Sequence, residues 1–229
     1  MTHHGASGSS PARGSDAPLE GPSAAFASLI RSVATDLLDA RDALNRLDAV
    51  AGDGDLGLTV STAARALIEL VPTLAGLEEA DAIRRCGTEL ARRAPSTGGT
   101  LIAFAFMAAG RAGVDRTAPS VARAAGYLDA AAQSIAERGR VAPGDRTMLD
   151  ALGPAAQAVR AAADANDDVL AATSAAARAA DEGARATASM AAKVGRAGWL
   201  AERAAGSEDA GARLVTLVAA AAAKYVASG

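Results

Sequence analysis

Apolar residues recur every three or four positions along most of the chain, and glycine, proline and aspartate residues interrupt this pattern at intervals. Such spacing predicts amphipathic helices, because it places the apolar side chains on one face of each helix. No segment alternates apolar and polar residues with a period of two, as a half-buried strand would. The interruptions divide the chain into about eight predicted helices, near residues 24–50, 60–72, 79–93, 101–107, 120–137, 147–163, 167–190 and 210–227.

Composition supports an all-α fold class. Half of the residues are hydrophobic but only 3% are aromatic, and 65 of the 229 residues are alanines. Alanine favours helices, whereas strands are enriched in β-branched and aromatic residues. One predicted helix is apolar on nearly all sides and is therefore expected to be central and buried. Its large apolar residues are Leu101, Ile102, Phe104, Phe106 and Met107.

The N-terminal segment differs from the rest of the chain. Residues 1–22 are rich in Gly, Ser, Pro and Ala and contain both histidines, His3 and His4. We therefore predict a disordered tail there and a single helical domain over residues 23–229. This domain has no imidazole to act as a base, nucleophile or metal ligand. Its chemistry must rely on carboxylates, hydroxyls, arginines and backbone amides.

Charge and cysteine content exclude several classes of protein. With 23 basic and 26 acidic residues the chain has a formal net charge of −3, so we expect it to bind neither nucleic acid nor an anionic membrane. The single cysteine, Cys86, excludes an internal disulfide and is expected to be a buried helical residue. The most apolar segment, residues 215–223, is too short to span a membrane. A soluble, cytoplasmic protein is expected.

Residues 48–57 combine three aspartates with three glycines. Asp48 continues the apolar stripe of the first predicted helix, so its carboxylate points inward near a helix C-terminus, where the helix dipole disfavours negative charge. Asp53 and Asp55 follow in a glycine-rich turn that lets the three carboxylates converge. Such oxygen ligands suit magnesium, although a solvated acidic turn is an equally good interpretation. A calcium loop of the EF-hand type is excluded, because Ala64 stands where its last acidic ligand belongs.

Three further loops combine glycine with hydroxyl, acidic or arginine residues. Residues 96–100, Ser-Thr-Gly-Gly-Thr, precede a predicted helix, where backbone amides can bind phosphate, but Ser and Thr also cap helices without a ligand. Residues 143–150 place Asp, Arg and Thr at another helix start, where an ordinary N-cap is the alternative. Residues 195–211 contain Arg196 and the only tryptophan, Trp199. Long glycine-rich loops of this kind more often carry a function than serve only as connections between helices.

Together these four loops resemble the nucleotide-binding L domain of dihydroxyacetone kinases in order and spacing, from about residue 24 to the C-terminus. The matching motifs are Leu-Asn-Arg-Leu-Asp at 44–48, Gly-Asp-Gly-Asp-Leu-Gly at 52–57, Ser-Thr-Gly-Gly at 96–99, Gly-Asp-Arg-Thr-Met-Leu-Asp-Ala-Leu at 144–152 and Gly-Arg-Ala-Gly-Trp-Leu at 195–200. The resemblance implies a closed barrel of eight antiparallel helices. It also implies that the barrel binds ATP or ADP at one end through two magnesium ions.

The resemblance implies roles for individual residues. Asp48, Asp53 and Asp55 would hold the magnesium ions. Contacts to the phosphates or to the rest of the nucleotide would come from Ser96, Thr97, Gly98, Gly99, Thr147, Met148, Asp209 and Gly211. Arg196 would contact the nucleotide and act as the catalytic residue that offsets charge on the transferred phosphoryl group.

The resemblance also implies an activity and a partner. In this family a histidine of a separate K domain holds the ketose, and this chain is expected to lack that domain. It would thus be an L subunit that transfers phosphate from Mg-ATP to a short ketose, such as dihydroxyacetone or erythrulose, only together with a K-type partner. Two alternatives stay open: bound ADP that a phosphotransferase-system partner rephosphorylates, or a catalytically silent module that senses nucleotide. A homodimer is also open.

Four positions depart from the family pattern. Leu56 stands where relatives often have a histidine, and Arg146 replaces a lysine. Ser207 and Ala210 replace a frequent histidine and proline. Arg146 keeps the positive charge but has a different bonding geometry. The missing histidine at Leu56 favours ATP over a bound ADP cofactor, and the last two changes are expected to alter the loop beside the nucleotide.

Overall fold

The computed structural model describes residues 19–194 and 205–229. Within these two ranges the chain forms nine α-helices, one short 3-10 helix and no strand. The α-helices are α1 (Ala24–Asp39), α2 (Arg41–Ala51), α3 (Leu56–Leu74), α4 (Glu79–Arg93), α5 (Thr97–Ala109), α6 (Ser120–Gly139), α7 (Leu149–Ala165), α8 (Val169–Ala186) and α9 (Ala210–Ser228), and the 3-10 helix is Thr187–Ser189. The predicted all-α fold class is confirmed.

Eight of the helices form a closed ring. Helices α1, α3, α4, α5, α6, α7, α8 and α9 pack side by side in this order, and α9 packs against α1 to close the ring. The short helix α2 packs on α3 and α9. Neighbours in the ring run antiparallel, because the chain turns back between them. The predicted barrel of about eight antiparallel helices is therefore confirmed.

The first predicted helix, over residues 24–50, is broken at Ala40 into α1 and α2. No glycine or proline marks this break in the sequence. Packing accounts for it, since Gly57 of α3 approaches the carbonyl of Arg41 so closely that a Cβ at Gly57 would lie 1.9 Å from the oxygen. Helix α2 is thereby held against the start of α3.

The boundaries of two other helices also differ from the prediction. Helix α3 continues through Pro72 to Leu74, because a proline in the last turn removes only one helical hydrogen bond. Helix α5 begins at Thr97, inside the loop over residues 96–100 that the sequence places before this helix. Gly98 and Gly99 therefore belong to the first turn of α5 and not to the loop between α4 and α5.

The apolar helix α5 lies in the wall of the ring, between α4 and α6. Its fully buried residues are the small ones, Ala103, Ala105 and Ala109, and its larger side chains are half-buried. The expectation of a central helix is wrong because each helix of a ring has one inner and one outer face. Two of its large residues, Leu101 and Phe104, line the cavity described below.

Small residues let the helices of this barrel pack closely. The largest core cluster joins α6, α7, α8 and α9, and its members are alanines apart from Val121 and Val159. Gly183 brings α8 so near to α7 that a Cβ there would lie 2.1 Å from the carbonyl oxygen of Asp150. Cys86 on α4 is a buried core residue, as predicted. Each small side chain buries little area, so the stability of the core depends on many of them.

The folded part of the chain begins earlier than predicted. Leu19, which the sequence assigns to the tail, packs against the cluster formed by α1, α3 and α4. Ser23 is buried, and its N–H and hydroxyl donate hydrogen bonds to the carbonyls of Ala75 and Leu77. Residues 1–18, with both histidines, lie outside the described residues, so disorder in that segment stays a prediction.

One helix of the described residues, α9, is long and apolar enough to span a membrane by length and composition alone. In this structure it belongs to the barrel wall, where Ala212, Leu214 and Ala221 are buried and its neighbours are α8 and α1. Its two charged residues, Arg213 and Lys224, form ion pairs with other helices. Its buried residues and its ion pairs are therefore those of a helix that packs in the barrel wall.

Candidate functional site

A cavity of about 1330 Å³ opens at one end of the barrel. The α2–α3 loop, the start of α5, the end of α6, the start of α7 and the start of α9 line it. The end of α6 and the start of α7 are close in sequence, so four stretches meet here, within residues 47–59, 95–104, 135–148 and 208–211. Of the residues predicted from the sequence, the cavity wall includes Asp48, Asp53, Asp55, Ser96, Thr97, Gly98, Thr147, Met148, Asp209 and Gly211.

Asp48 connects α2 to the start of α3. Its Oδ2 accepts hydrogen bonds from the backbone N–H groups of residues 54–56, at 2.9 to 3.3 Å. Asn45, also in α2, accepts a hydrogen bond from the N–H of Leu58. The side chain of the N-cap residue of α3 accepts no hydrogen bond from the helix. The side chains of Asp48 and Asn45 in α2 therefore accept hydrogen bonds from N–H groups at the start of α3 instead. These amides offset part of the unfavourable interaction between the Asp48 carboxylate and the C-terminal dipole of α2.

The three aspartates of the first loop lie close together. Asp48, Asp53 and Asp55 each offer one carboxylate oxygen, and these oxygens lie within 4.8 Å of one another. Gly52 keeps the loop tight, since a Cβ at this position would lie 2.3 Å from Oδ1 of Asp48. Carboxylate oxygens that face an open cavity suit a hard cation such as magnesium, which keeps water and phosphate oxygens among its ligands. The role of these residues as metal ligands stays a prediction.

The start of α5 presents two backbone amides to the cavity. Ser96 is the N-cap, and its hydroxyl oxygen accepts a hydrogen bond from the N–H of Gly99 at 2.9 Å. The N–H of Thr100 donates to the carbonyl of Ser96. The N–H groups of Thr97 and Gly98 have no acceptor among the described residues, and nothing lies within 4 Å of where a Cβ of Gly98 would be. An anion can therefore approach these two amides from the cavity.

Gly99 is not brought into the cavity. Its N–H donates a hydrogen bond to the hydroxyl oxygen of Ser96, and a Cβ at Gly99 would lie 2.2 Å from the carbonyl oxygen of Ala94. The turn can pack this closely only with glycine at this position. Gly99 therefore shapes the start of α5 outside the cavity lining, whereas its neighbour Gly98 lines the cavity. A contact between Gly99 and the nucleotide stays a prediction.

Asp150 shapes the loop that carries Thr147 and Met148. Its buried carboxylate accepts hydrogen bonds from the N–H groups of Gly144 and Thr147, which folds the loop back onto the first turn of α7. Thr147 and Met148 are thereby placed on the cavity wall. Met148 also lies beside the start of α9, where a Cβ at Gly211 would be 3.3 Å from the Cβ of Met148.

Asp145 and Arg146 connect the α6–α7 loop to the rest of the cavity wall. Asp145 forms an ion pair with Lys193 at 2.8 Å, and this hydrogen bond holds the pKa of the Asp145 carboxyl below its ordinary value. Arg146 is only 4% exposed. It donates from Nε to the carbonyl of Thr187 at 3.1 Å. Its Nη2 donates to the carbonyl and hydroxyl oxygens of Ser207 at 2.8 and 3.0 Å.

Asp209 forms the cavity wall at the start of α9. It is the N-cap residue, and its carboxylate accepts a hydrogen bond from the N–H of Ala212 at 2.8 Å. Its own N–H donates to the buried hydroxyl of Thr187 at 2.8 Å. Burial raises the pKa of Asp209 to about 6, against the lowering effects of the Ala212 amide and the Arg146 charge. This carboxyl therefore holds a proton to a higher pH than an exposed aspartate does.

Several cavity residues were not predicted from the sequence. Arg138 at the end of α6 stacks on the ring of Phe104, with the guanidinium carbon 3.9 Å from the ring centroid. Arg140 follows on the same wall. The run Arg-Gly-Arg at 138–140, close before a glycine-containing loop, is the signal that could have indicated them. Thr187 is buried and does not line the cavity, and it has no sequence motif of its own; its contacts with Arg146 and Asp209 show that it supports the cavity wall.

One predicted site residue lies outside the described residues. Arg196, the predicted catalytic residue, belongs to residues 195–204, as does Trp199. Its contact with the nucleotide and its catalytic role stay predictions.

The chain is similar to one family of domains and to several kinases. Residues 50–224 match the DAK2 domain family. The chain is 35% identical to D-erythrulose kinase of Mycolicibacterium smegmatis over 82% of this chain and 33% of that protein. It is 30% identical to the PEP-dependent dihydroxyacetone kinase, ADP-binding subunit DhaL of Escherichia coli, over 75% of this chain and 82% of that protein.

A solved structure has the same fold. The dihydroxyacetone kinase from C. freundii in complex with AMP-PNP and Mg²⁺ matches with a TM-score of 0.69 at 27% identity, covering 98% of this chain and 38% of that chain. The chain thus spans little more than a third of that kinase and about a third of the erythrulose kinase.

Proposed function

Because this chain belongs to the DAK2 domain family, we propose that it is the nucleotide-binding, phosphoryl-donor subunit of a dihydroxyacetone-type kinase. It would transfer phosphate from Mg-ATP to a short ketose held by a separate K-type subunit. The observation that carries the proposal is the meeting of three aspartates and two open amides of α5 in one cavity. The aspartates suit a divalent cation, and the amides suit phosphate.

Asp48, Asp53 and Asp55 would hold two magnesium ions, and a set of carboxylate oxygens is the donor set that fits this metal. Bound magnesium would neutralise charge on the β- and γ-phosphates. Asp48 orients the set, because the amides of α3 already hold its Oδ2. A ligand held in advance in this way does not have to reorganise when charge develops during the reaction.

The phosphates would lie against the amides of Thr97 and Gly98, where the dipole of α5 also favours negative charge. Arg196 would offset charge on the transferred group. The rest of the nucleotide would contact other parts of the cavity wall, at Thr147, Met148, Asp209 and Gly211.

A partner subunit is part of this proposal. These 229 residues have histidines only at His3 and His4, so we assign the imidazole that would hold the ketose to a K-type partner. Similarity to an erythrulose kinase and to a dihydroxyacetone kinase subunit supports erythrulose or dihydroxyacetone as the acceptor. We place the subunit in the cytoplasm, as a monomer or a homodimer on its partner.

The second candidate is a subunit that keeps ADP as a bound cofactor, rephosphorylated by a phosphotransferase-system partner. The identity to the ADP-binding subunit of the PEP-dependent Escherichia coli enzyme favours it. The AMP-PNP and Mg²⁺ in the C. freundii complex favour exchangeable ATP. The nucleotide content of the purified protein after dialysis decides between them, because only a cofactor stays bound.

Isothermal titration with ADP and ATP, with and without Mg²⁺, tests the proposal. The wild-type chain should bind in a Mg²⁺-dependent manner, and Asp53→Asn should weaken this binding about tenfold or more, because it removes a charged ligand. Asp167→Asn makes the same exchange at an exposed position between α7 and α8, away from the cavity, and should bind like the wild type. No binding by the wild type under any of these conditions would overturn the proposal and favour a non-enzymatic interaction module.

A further inference from the structure

Arg146 joins three segments that are far apart in the chain, and it lines the cavity itself. It belongs to the α6–α7 loop, and its guanidinium bonds Thr187 after α8 and Ser207 before α9. It is one of the few charged residues that are buried in the described part of the chain. A buried guanidinium is tolerated only when hydrogen bonds satisfy its donors. This side chain therefore has a defined position, set by the backbone of two other segments.

The backbone of Arg146 is in an unfavourable conformation. Its φ is 62°, in the left-handed region that side chains other than glycine rarely adopt. Among the described residues, Arg140 and Asn166 are the other non-glycine residues with positive φ. Asn166 and Arg140 are the C-cap residues of α7 and α6, where this conformation is common, whereas Arg146 lies within the α6–α7 loop and lines the cavity. Strained residues that persist in a site point to a need for their side chains there.

The segment that Arg146 holds leads into the start of α9. Three consecutive residues of this segment each form a hydrogen bond with a different residue, which we call an anchor. Arg146 bonds Ser207, Arg213 bonds Glu208, and the hydroxyl of Thr187 bonds Asp209. Of these anchors, only Arg146 belongs to the loop that carries Thr147 and Met148. Arg146 therefore connects the loop before α7 to the segment before α9, and these two segments meet where Met148 packs against Gly211.

From these contacts we propose that Arg146 is a positioning residue for the nucleotide. By tying Ser207 to the α6–α7 loop, it keeps Met148 packed against Gly211, and the nucleotide would contact both of these cavity residues. The inference rests on the proposed nucleotide-binding function and deepens it. Arginine suits this task because one planar guanidinium bonds two carbonyls and a hydroxyl at once, which the single ammonium of lysine cannot do with the same geometry.

Two of the positions that depart from the family pattern are bonded to each other in this structure. Nη2 of Arg146 lies 3.0 Å from the hydroxyl oxygen of Ser207. Residues in direct contact depend on each other energetically, so changes at the two positions are expected to act together. The pair Arg146 and Ser207 is therefore one unit of the cavity wall rather than two separate departures.

Titration of Arg146→Lys, Ser207→Ala and the double variant tests the proposal, with Mg-ADP and Mg-pyrophosphate as ligands. Arg146→Lys should weaken ADP binding about tenfold, and Ser207→Ala about threefold, because each removes hydrogen bonds that hold the wall. The double variant should be no weaker than Arg146→Lys, since the hydroxyl acts through Arg146. Pyrophosphate lacks the nucleoside that contacts this wall, so its affinity should stay within about twofold of wild type.

The matched control is Arg123→Lys. Arg123 on α6 likewise bonds a backbone carbonyl, that of Ala118, and a second residue, Glu79, but it does not line the cavity. This variant should lower the thermal midpoint without changing ADP affinity. A loss of ADP affinity in Arg123→Lys that matches Arg146→Lys would overturn the proposal, because the effect would then follow from stability alone.

Two further outcomes decide the proposal. Equal weakening of ADP and pyrophosphate binding by Arg146→Lys overturns the positioning role. If Arg146→Lys does not fold, Ser207→Ala decides alone, since it leaves the guanidinium bonded to two carbonyls; unchanged ADP affinity in Ser207→Ala then overturns the role. Absence of ADP binding by the wild-type chain is a different failure, because it removes the proposed function itself.

Discussion

The two carboxylate oxygens of Asp48 have different surroundings. Oδ2 accepts hydrogen bonds from the amides of residues 54–56, and Oδ1 lies beside Gly52. The first contact stabilises the start of α3 whether or not a metal is bound. Because the amides hold Oδ2, the second oxygen has a defined direction as well. A single residue thus determines both the α2–α3 junction and the shape of the aspartate cluster.

Asp209 makes stability depend on pH. Its native pKa of about 6 lies above its ordinary value of 3.8, so the native state keeps a proton that the unfolded chain releases between these values. The contribution of this group is fully present below about pH 4 and is lost as the pH rises through 6. In Asp209→Asn, which keeps a cap acceptor, this loss is absent. Between pH 5 and pH 8 the variant should therefore gain roughly 1 kcal/mol relative to wild type.

Urea unfolding of both proteins from pH 5 to pH 8 measures this difference. Asp168→Asn is the matched control, because Asp168 is the exposed N-cap of α8 and its carboxylate also accepts a backbone hydrogen bond. A difference between Asp209→Asn and wild type that does not change with pH would show that the carboxyl of Asp209 is not desolvated.

At the scale of elements, the junction of α2 and α3 determines the geometry of the aspartates. The sequence predicts one long helix here, and the structure has two helices with the acidic loop after the second. Side chains of α2 satisfy the first amides of α3, so the two helices and the loop between them form one unit. The loop is therefore held from both sides, which favours a fixed arrangement of its carboxylates.

Gly52→Ala tests how tightly this unit is packed. The backbone of Gly52 has φ −129°, which any residue can adopt, so the obstacle to alanine is its Cβ, which would lie 2.3 Å from Oδ1 and 2.9 Å from the backbone carbonyl oxygen of Asp48. We expect a loss of about 1–3 kcal/mol in the free energy of unfolding, together with weaker Mg²⁺-dependent nucleotide binding. Gly76→Ala, where a Cβ meets no atom within 4 Å, should change neither. Unchanged stability of Gly52→Ala in urea would show that the loop relaxes freely.

At the scale of the whole molecule, the cavity is a product of ring closure. Its walls come from connections and helix ends at one end of the barrel, between residues 47 and 211. Closure through α9 and α1 brings the last of these segments beside the first. Packing of alanines around the ring therefore decides where the carboxylates, amides and arginines meet.

The purified chain by itself should not phosphorylate dihydroxyacetone. The proposed reaction needs an imidazole to hold the ketose, and the chain offers only His3 and His4. A coupled assay for ADP formation should show turnover only after a K-type subunit is added. Turnover by the chain alone would contradict the proposed division of labour between two subunits, and the Asp53→Asn variant would then show whether the activity uses this cavity.

The helices and the loops that carry chemistry were predictable because they depend on local patterns. Apolar spacing and breakers act over a few residues, so they indicate the all-α class, the approximate positions of most helices and the acidic, hydroxyl and glycine motifs. Resemblance to a family then placed those motifs at one end of a barrel. The position of Asp48, Thr97 and Asp209 on one cavity wall agrees with that placement.

Other features depend on contacts between residues that are far apart in the chain. The break at Ala40 follows from the approach of Gly57 to Arg41, and the orientation of Gly99 follows from how the turn packs on Ala94. No local pattern encodes such distances, because they arise only when the helices close the ring.

The buried contacts of Arg146 are of the same kind. Its partners lie 41 and 61 residues away in the sequence, so its charge alone resembles that of any solvent-exposed loop arginine. Helical periodicity is a short-range property that the chain carries residue by residue. The burial and bonding of a side chain are long-range properties, and only the packing of the completed barrel decides them.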